Sequence, residues 1–342
     1  MEQAFLTEKH KCLADGDARS AIDWRRGPWL ESHGVRVVEE IAPKTTLIDV
    51  DYLGHPKMIA ACLLESEGDV AIVDPGPTSA LFTLRRKLDE LGVGVQGLNT
   101  ILLTHIHLDH AGATGTLVKE NPRIRVSVHE RGAPHMIDPA KLLESARRLY
   151  GEQMDRLWGQ FLPVPAENVR ALAGGEALNI AGRKLEVVYT PGHASHHVSY
   201  FEAATGLAFV GDTAGIRIEN GQTILPITPP PDIDLESWAG SWKQIEARRP
   251  ERLFLTHFGP AGHVREHLAE LRERLEEWSV AVRESLKDGE SDAERAAQFG
   301  RQVTEKLKQR LSEQDADRYA RGAAVELCWY GLARYWRKRG AN

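Results

Sequence analysis

The sequence predicts an α/β domain followed by a helical C-terminal extension, and three patterns support this fold class. Short β-type runs, separated by turn residues, fill the chain up to residue 73. A strand, a helix and a second strand then lead to a group of histidines, the usual arrangement of an active site at the carboxyl end of a sheet. From residue 264 onward, apolar residues recur every three or four positions, as in an amphipathic helix.

The first β-type runs are separated by breaks that contain proline or glycine, which predicts an antiparallel meander. These runs cover residues 35–38, 45–48, 59–64 and 70–73. Apolar residues then follow helical spacing over residues 79–91. The apolar run at residues 100–103 is too brief for a helix and is predicted to be a short buried strand.

The rest of the α/β domain is predicted to contain further strands and one helical insertion. The strands cover residues 124–128, 185–189, 198–201, 207–210 and 252–256, and the insertion covers residues 133–165. Residues 226–232 cannot form a central strand, because three successive prolines remove backbone donors. Asp234 is predicted to cap the helix that follows this loop.

The extension is predicted to contain three helices. The first covers residues 264–286 and ends at a break over residues 287–289. Ser291 and Glu294 have the spacing of a capping box, which predicts the start of the second helix. The third is predicted over residues 315–337, where basic residues at its C-terminus favour the helix dipole.

The strand predicted at residues 100–103 leads into a cluster of metal-ligand side chains. The cluster consists of His105, His107, Asp109 and His110. Alternate residues of an extended backbone point to the same side, so His105 and His107 can converge on one ion. Asp109 and His110 then face a neighbouring point as the chain turns. Imidazole and carboxylate are ligands of zinc, and so many histidines in six residues cannot all be ordinary core side chains. The cluster predicts a metal site.

Three later residues each follow or end a predicted strand. His193 lies in a Pro-Gly turn, and Asp212 and His257 come directly after strands. Each is weak evidence alone, because a single aspartate after a strand is usually a turn residue. Together with the first cluster they supply five histidines and two aspartates. That set is sufficient for two ions with open positions for water.

The composition limits the class of protein. The 342 residues exceed the usual single domain, and the formal net charge of −6 argues against a nucleic-acid surface. No apolar run reaches the ~20 residues of a membrane-spanning helix, and the first residues lack the pattern of a signal peptide. Cys12, Cys62 and Cys328 are scattered and are predicted to be reduced thiols. We expect a cytoplasmic protein that acts on a small molecule and binds neither nucleic acid nor membrane.

With these residues identified, the chain resembles the metallo-β-lactamase superfamily. The resemblance rests on the pattern His105-x-His107-x-Asp109-His110, followed in order by His193, Asp212 and His257. It covers residues 35–263, with residues 1–34 as a leader that packs on the body and residues 264–342 as the helical extension. It implies an αβ/βα sandwich with a dinuclear metal site at one edge of the two sheets.

The resemblance also implies a role for each ligand. The first ion would be held by His105, His107 and His193, the second by Asp109, His110 and His257, with Asp212 bridging the two. A bridging aspartate makes the site similar to those of glyoxalase II, lactonases and RNase Z. We therefore expect a glyoxalase II-like hydrolase that attacks a thioester or lactone with a hydroxide bridging the metals. Zinc is the expected ion, with iron and manganese as alternatives.

Four residues are given further roles. Asp109 is expected to accept the proton of the water and to pass it to the leaving group. Asp74 and His197 are candidates for orienting the ligands, although Asp74 also fits a simple cap of the turn that follows it. His196 stands where the glyoxalase-like pattern usually has glycine, and it faces either the substrate or the solvent.

Several alternatives stay open at the level of the sequence. A nuclease or phosphodiesterase needs a basic path for phosphates, which the acidic composition disfavours. A mononuclear iron persulfide dioxygenase uses fewer of these ligands. Tyr150, Trp158 and Phe161, with the loop of residues 226–238, are candidates for an apolar pocket or for ordinary core. The extension packs either on its own domain or on a second copy in a homo-oligomer.

Overall fold

The strands form two sheets in the computed structural model, which describes residues 38–218, 223–287 and 289–340. The predicted leader of residues 1–34 lies outside these ranges. The first sheet contains, in spatial order, β1 (Val38–Ala42), β2 (Thr45–Asp49), β3 (Ala60–Ser66), β4 (Asp69–Val73), β5 (Thr100–Leu102), β6 (Arg125–His129) and β7 (Val169–Leu172). Strands β1 to β4 pair antiparallel, as the predicted meander requires, and β4 to β7 pair parallel.

The second sheet is formed by the later strands. It contains β8 (Ala177–Ile180), β9 (Arg183–Tyr189), β10 (Val198–Glu202), β11 (Leu207–Phe209), β12 (Arg252–Leu255) and β13 (Gly259–Ala261). The spatial order is β13-β12-β11-β10-β9-β8, and the pairing is antiparallel except between β11 and β12. The parallel pair places the carboxyl ends of β11 and β12 at the same edge.

Helices cover the outer face of each sheet. Those on the first sheet are α1 (Leu81–Glu90), α2 (Leu108–Ala111), α3 (Thr114–Glu120), α4 (Ala133–Ile137), α5 (Ala140–Tyr150) and α6 (Met154–Leu157). Those on the second sheet are α7 (Leu235–Arg248), α8 (Val264–Ser285), α9 (Asp292–Lys308), α10 (Glu313–Gly322) and α11 (Val325–Arg337). A third apolar core, which includes Leu64, Leu185 and Phe254, fills the space between the sheets. This arrangement confirms the predicted αβ/βα sandwich with a helical extension.

Polar contacts join the two sheets across this middle core. The Tyr200 hydroxyl of β10 donates to the carbonyl oxygen of Leu103 at 2.7 Å. The guanidinium of Arg183 on β9 donates to Glu202 at 2.9 Å and to the carbonyl oxygen of Pro43, between β1 and β2, at 2.9 Å. Because both Arg183 and Glu202 are almost fully buried, the paired charges need these specific partners.

The helix starts agree well with the sequence patterns. The Asp234 side chain accepts from the backbone N–H of Ser237 at 2.7 Å, so it caps α7 as predicted. Ser291 and Glu294 form the predicted capping box at the start of α9. Cys62 and Cys328 are buried free thiols, whereas Cys12 lies outside the described residues. Within the described ranges, no helix is long and apolar enough to cross a membrane.

Two features differ from the sequence prediction. The third helix of the extension, predicted over residues 315–337, is interrupted between α10 and α11, where Ala324 has a φ of 46°. Gly322 lies at this break, and a Cβ there would come within 2.9 Å of Met58 and 3.0 Å of Ile218. The absence of a side chain at Gly322 thus lets α10 pack closely on the body at the break. Helix α3 and strands β7, β8 and β13 were also missed, because they are short and carry weak periodicity.

The extension packs on its own domain and also contacts the loop of residues 226–232. Gly331 of α11 makes the closest approach, since a Cβ at this position would lie 1.9 Å from the carbonyl oxygen of Thr228. The Thr228 hydroxyl donates to the carbonyl oxygen of Cys328 at 3.1 Å. The extension therefore supports a loop that, as shown below, lines the candidate site.

We predict that Gly331→Ala destabilises the protein by about 1–3 kcal/mol or more, because the new methyl group overlaps with backbone atoms that cannot move independently. The measurement is the free energy of unfolding in urea. The matched control is Gly240→Ala within α7, where a Cβ meets nothing within 4 Å. That change should be neutral or stabilise by about 0.5–1 kcal/mol. Equal effects of the two substitutions would contradict the close packing of α11.

Candidate metal centre

The ends of several strands bring all seven sequence-predicted ligands to one edge of the sandwich. The segment after β5 carries His105, His107, Asp109 and His110, and the segments after β9, β11 and β12 carry His193, Asp212 and His257. Their donor atoms form two groups, each with all atoms within 4.8 Å of one another. The first group is His105, His107, His193 and Asp212, and the second is Asp109, His110, Asp212 and His257.

Asp212 belongs to both groups, and each of its carboxylate oxygens faces a different one. Its Oδ2 lies 3.4 Å from Nε2 of His193 and 3.9 Å from Nε2 of His105. Its Oδ1 lies 3.3 Å from Nε2 of His110 and 3.6 Å from Nε2 of His257. This is the arrangement that a carboxylate needs in order to bind two ions at once.

The outer nitrogens of three ligand histidines are held by acceptors. Nδ1 of His193 donates to the carbonyl oxygen of Ile227 at 2.8 Å, and Nδ1 of His257 donates to that of Met58 at 2.8 Å. Nδ1 of His110 donates to the Asp74 carboxylate at 2.9 Å. Because these oxygens can only accept, the proton of each neutral ring is on Nδ1 and the lone pair of Nε2 faces the centre.

Four buried atoms at the centre have no hydrogen-bond partner among the residues that the structure describes. They are Nε2 of His105, His110 and His257, and Oδ1 of Asp212. Burying such groups without a partner is costly. All of them are electron-pair donors of the type that binds zinc and similar divalent ions. The residues present therefore fit a metal ion in each group.

The electrostatics of the site agree with this chemistry. Burial lowers the pKa of His105 and His107 well below the usual value, and neighbouring histidines lower it further, which favours neutral rings. Despite burial, the nearby carboxylates raise the pKa of His110 and His257, so without a bound cation these two rings take up the positive charge that the site attracts. Burial would raise the pKa of Asp109, but the charges of these two histidines outweigh it and hold this pKa at about 2. The same two histidines hold the pKa of Asp212 well below its usual range. Both carboxylates are ionised and attract cations.

Asp74 makes the contacts expected of a residue that orients ligands. It is completely buried and has a φ of 46°. Besides His110, its carboxylate accepts from the backbone N–H of Thr104 at 2.8 Å and from the hydroxyls of Thr104 and Thr256 at 2.7 and 2.9 Å. Its side chain thus binds the ends of β5 and β12, which is the orienting role and not the simple cap of the turn considered from the sequence.

Thr104 and Thr256 were missed at the level of the sequence, although a signal is present. Each threonine precedes a ligand histidine and follows an apolar strand, so the triplet Leu-Thr-His occurs at residues 103–105 and 255–257. Nδ1 of His105 lies 3.1 Å from the Thr104 hydroxyl, whose own proton is donated to Asp74. The Thr104 hydroxyl therefore lies between Asp74 and His105, and Asp74 orients His105 through it.

The two remaining candidates lie behind and beside the centre. His197 is buried, stacks on His105 at a centroid distance of 5.0 Å, and contacts the hydroxyls of Thr190 and Thr213 through Nδ1 at 3.0 and 3.1 Å. His196 lines the cavity above the centre, with its ring 5.7 Å from that of His107. The structure places His196 on the cavity side and not at the outer surface.

A cavity of about 530 Å³ opens over the two groups of ligands. Its floor includes His107, Asp109, Asp212 and His257. The helical insertion contributes Tyr150 and Trp158, as was considered from the sequence, whereas Phe161 is buried in the core of the first sheet. The other walls are the loop of residues 52–59, the Pro229–Pro231 segment, and the junction between α10 and α11. The Pro229–Pro231 segment belongs to the loop of residues 226–238 that was considered from the sequence, whereas the other two walls are far from it in the chain and carry no local pattern.

Comparisons with known proteins bear on the same region. The model of the metallo-beta-lactamase superfamily matches residues 56–257. A metallo-beta-lactamase fold-containing protein of Sulfurisphaera tokodaii is 27% identical over 228 residues, which are 65% of this chain and 81% of that protein. A hydroxyacylglutathione hydrolase of Aeromonas hydrophila is 30% identical over 151 residues, which are 44% of each protein. The match thus spans less than half the length of that relative.

Solved structures extend the similarity over most of the chain. A metallo-beta-lactamase family protein from Thermus thermophilus has a TM-score of 0.66 and 26% identity, covering 88% of this chain and 96% of that chain. A beta-lactamase domain protein from Burkholderia ambifaria has a TM-score of 0.57 and 21% identity, covering 90% of both chains. The second of these shows the fold alone. Both alignments are long enough to include part of the helical extension.

We predict that Asp74→Asn lowers metal affinity by about 10–100-fold, because an amide cannot accept from all the donors that the carboxylate binds. The measurement is competition with a metal-binding dye. The matched control is Asp69→Asn at the other end of β4, where the carboxylate also accepts from a backbone N–H, that of Ala181, at 2.7 Å. The control should retain wild-type metal affinity. A normal affinity in Asp74→Asn would contradict the orienting role.

Proposed function

Because the chain belongs to the metallo-beta-lactamase superfamily, we propose that it is a hydrolase that holds two divalent metal ions and cleaves a thioester or lactone. One observation carries the proposal above all others: the two oxygens of Asp212 face two separate groups of histidines. A site for a single ion would not need the second group. Zinc is the ion that we expect, because the set combines imidazole with carboxylate.

The ligands divide between the two positions as the family resemblance implies. His105, His107 and His193 would hold the first ion, and Asp109, His110 and His257 the second, with Asp212 shared. When bound, two such ions lower the pKa of a shared water toward 7 and polarise the carbonyl oxygen of a substrate. The chain supplies the position of each donor, through the acceptors that hold the outer nitrogens of the histidines.

Asp109 is the residue that we assign to proton transfer. Its side chain is 21% exposed and lines the cavity, whereas that of Asp212 is 2% exposed. Asp109 is also ionised at neutral pH, since its pKa is held at about 2. A carboxylate that is both ionised and accessible can accept a proton from the attacking water and donate it to the leaving group.

The choice of an ester-like substrate is supported by the relatives and by the form of the cavity. Several matched proteins are named hydroxyacylglutathione hydrolases, and their name describes cleavage of a thioester. The cavity is enclosed by the insertion, the loop of residues 52–59 and the extension. Enclosure of this kind suits a small molecule better than a polymer.

The function is tested first by elemental analysis of protein purified without added metal. The same preparation is assayed against a panel of thioester, lactone, phosphodiester and β-lactam substrates. About two zinc ions per chain, with turnover of a thioester or lactone, is the expected result. One iron ion per chain with oxygen uptake on a persulfide would replace the hydrolase by a dioxygenase. Turnover of the phosphodiester alone would replace it by a phosphodiesterase.

We predict that Asp212→Ala lowers both metal content and turnover, the latter by at least about 100-fold, because neither ion retains its shared ligand. Metal content is measured by elemental analysis and turnover with the best substrate of the panel. The control is Asp89→Ala at the exposed end of α1, which should keep both values. Wild-type turnover of Asp212→Ala at equal metal loading would refute the bridging role.

A further inference from the structure

We propose that the substrate is amphiphilic, with an apolar acyl chain that packs on the helical insertion and a negatively charged leaving half held by arginines of α6 and α10. This inference rests on the proposed hydrolysis of an ester-like bond and names the class of ester. It is carried by two properties of the cavity, namely the chemistry of one wall and the distribution of charge around it.

The wall formed by α5 and α6 carries a patch of hydrocarbon side chains beside Lys141, Ser145 and Arg156. Leu142 and Leu149 of α5 line the cavity and are only half-buried, so their apolar surface stays accessible. Leu157, at the end of α6, and Ala146 complete this wall. Exposed apolar surface inside an enclosed cavity favours a ligand that also needs to leave water. A hydrocarbon chain meets that requirement, whereas a polar acyl group does not.

Three aromatic side chains connect this wall to the metal centre. Trp158 stacks on Tyr52 at a centroid distance of 5.8 Å and meets Tyr150 edge-on at 5.1 Å. Burial and the charge of Asp109 raise the pKa of both tyrosines, so their hydroxyls stay protonated. The aromatic surface therefore continues from the leucines up to Asp109. An acyl chain can follow it with the carbonyl group at the centre.

The charge on the cavity wall is opposite to that of the whole chain. Five cationic side chains line the cavity, namely Arg131, Lys141, Arg156, Arg318 and Arg321. Outside the two ligand groups, the described lining residues include one carboxylate, that of Asp232. This carboxylate accepts from the Ser195 hydroxyl. The chain as a whole has a formal net charge of −6. A local excess of positive charge in a cleft attracts and holds an anion.

Arg318 contacts the loop of residues 52–59, since its guanidinium donates to the carbonyl oxygen of Pro56 at 2.7 Å. Arg318 and Arg321 are three residues apart on α10, so they extend from the same face of the helix. Burial lowers the pKa of His55, and the charges of these two arginines lower it further, against the opposite effect of Asp51. Arg156 of α6 also lines the cavity. Guanidinium groups in this arrangement are suited to a carboxylate or a phosphate.

The volume of about 530 Å³ is within the range of ~300–1,000 Å³ that holds a ligand of the size of a drug. Because a hydrocarbon acyl chain carries no charge, the anionic group is assigned to the leaving half of the ester. The cavity thus has an apolar surface on the insertion and a cationic rim, to which both the insertion, through Lys141 and Arg156, and the extension contribute.

The test uses the metal-loaded full chain and a set of thioesters that vary in two properties. Octanoyl and acetyl thioesters are each prepared with a neutral thiol, a carboxylate thiol and a phosphate-bearing thiol. We expect kcat/KM to be at least about 10-fold higher for octanoyl than for acetyl, and about 10-fold higher for an anionic than for the neutral thiol. The two anionic thiols distinguish carboxylate from phosphate recognition. A preference for acetyl, or for the neutral thiol, would overturn the proposal.

Variants assign the charge preference to named residues. The double variant Arg156→Gln/Arg321→Gln should lose about 10-fold in kcat/KM for the anionic octanoyl thioester. It should change by less than about 2-fold for the neutral one, because the metal ligands are untouched. The control is Arg310→Gln, an exposed arginine of the extension outside the cavity lining. An equal loss for both thioesters would indicate a general structural effect and would contradict anion recognition.

A binding measurement separates this proposal from the proposed function. Quenching of tryptophan fluorescence is followed with decyl phosphate, decanol and ethyl phosphate, none of which is an ester-like substrate of the assay. Decyl phosphate should bind at least about 10-fold more tightly than either of the others. Tight binding without hydrolysis of any thioester or lactone would refute the hydrolase and leave the cavity assignment intact. Hydrolysis without the expected preferences would refute the cavity assignment alone.

Discussion

The carboxylate of Asp74 is the interaction on which the rest of the centre depends. It lies at the end of β4 and accepts from Thr104 at the end of β5, from Thr256 at the end of β12 and from His110. Two of these strands belong to the first sheet and one to the second. One buried charge thereby joins both sheets at the edge where the metal ligands meet. Its hydrogen bonds compensate the cost of removing a carboxylate from water.

The candidate metal ligands could be predicted because each is marked by a short pattern in the local sequence. A histidine or aspartate directly after an apolar strand can be recognised from a few neighbouring residues, and the parallel pairs β4–β5 and β11–β12 then bring such strand ends to one edge. Thr104 and Thr256 were not recognised, because a threonine after a strand has no defined role until Asp74 approaches it in three dimensions. Gly322, beside the interruption, packs against the distant Met58, a contact that the local sequence does not show. Tyr150, Trp158 and the loop of residues 226–238 were candidates for the cavity, whereas the loop of residues 52–59 and the junction of α10 and α11 reach it from distant parts of the chain.

The positions of the charged residues around the cavity also could not be predicted from the composition. The formal net charge of −6 correctly describes the composition, but it says nothing about where the charges lie. Arginines from the insertion and from the extension meet around the cavity, although Arg156 and Arg321 are far apart in the sequence. An acidic protein can therefore present a cationic site to a small anion. The composition argues against a long basic surface, whereas the structure has a small group of cationic side chains around the cavity.

The loop of residues 226–232 contacts both the extension and one of the candidate metal ligands. Thr228 and Gly331 hold this loop to α11, and Ile227 of the same loop accepts from the outer nitrogen of His193. The seven ligands, in contrast, all come from the sandwich itself. The proposed anion contacts of Arg318 and Arg321 thus lie in a different stretch of the chain from the candidate ligands. Exchanging α10 between relatives would vary these contacts while all seven candidate ligands stay in place.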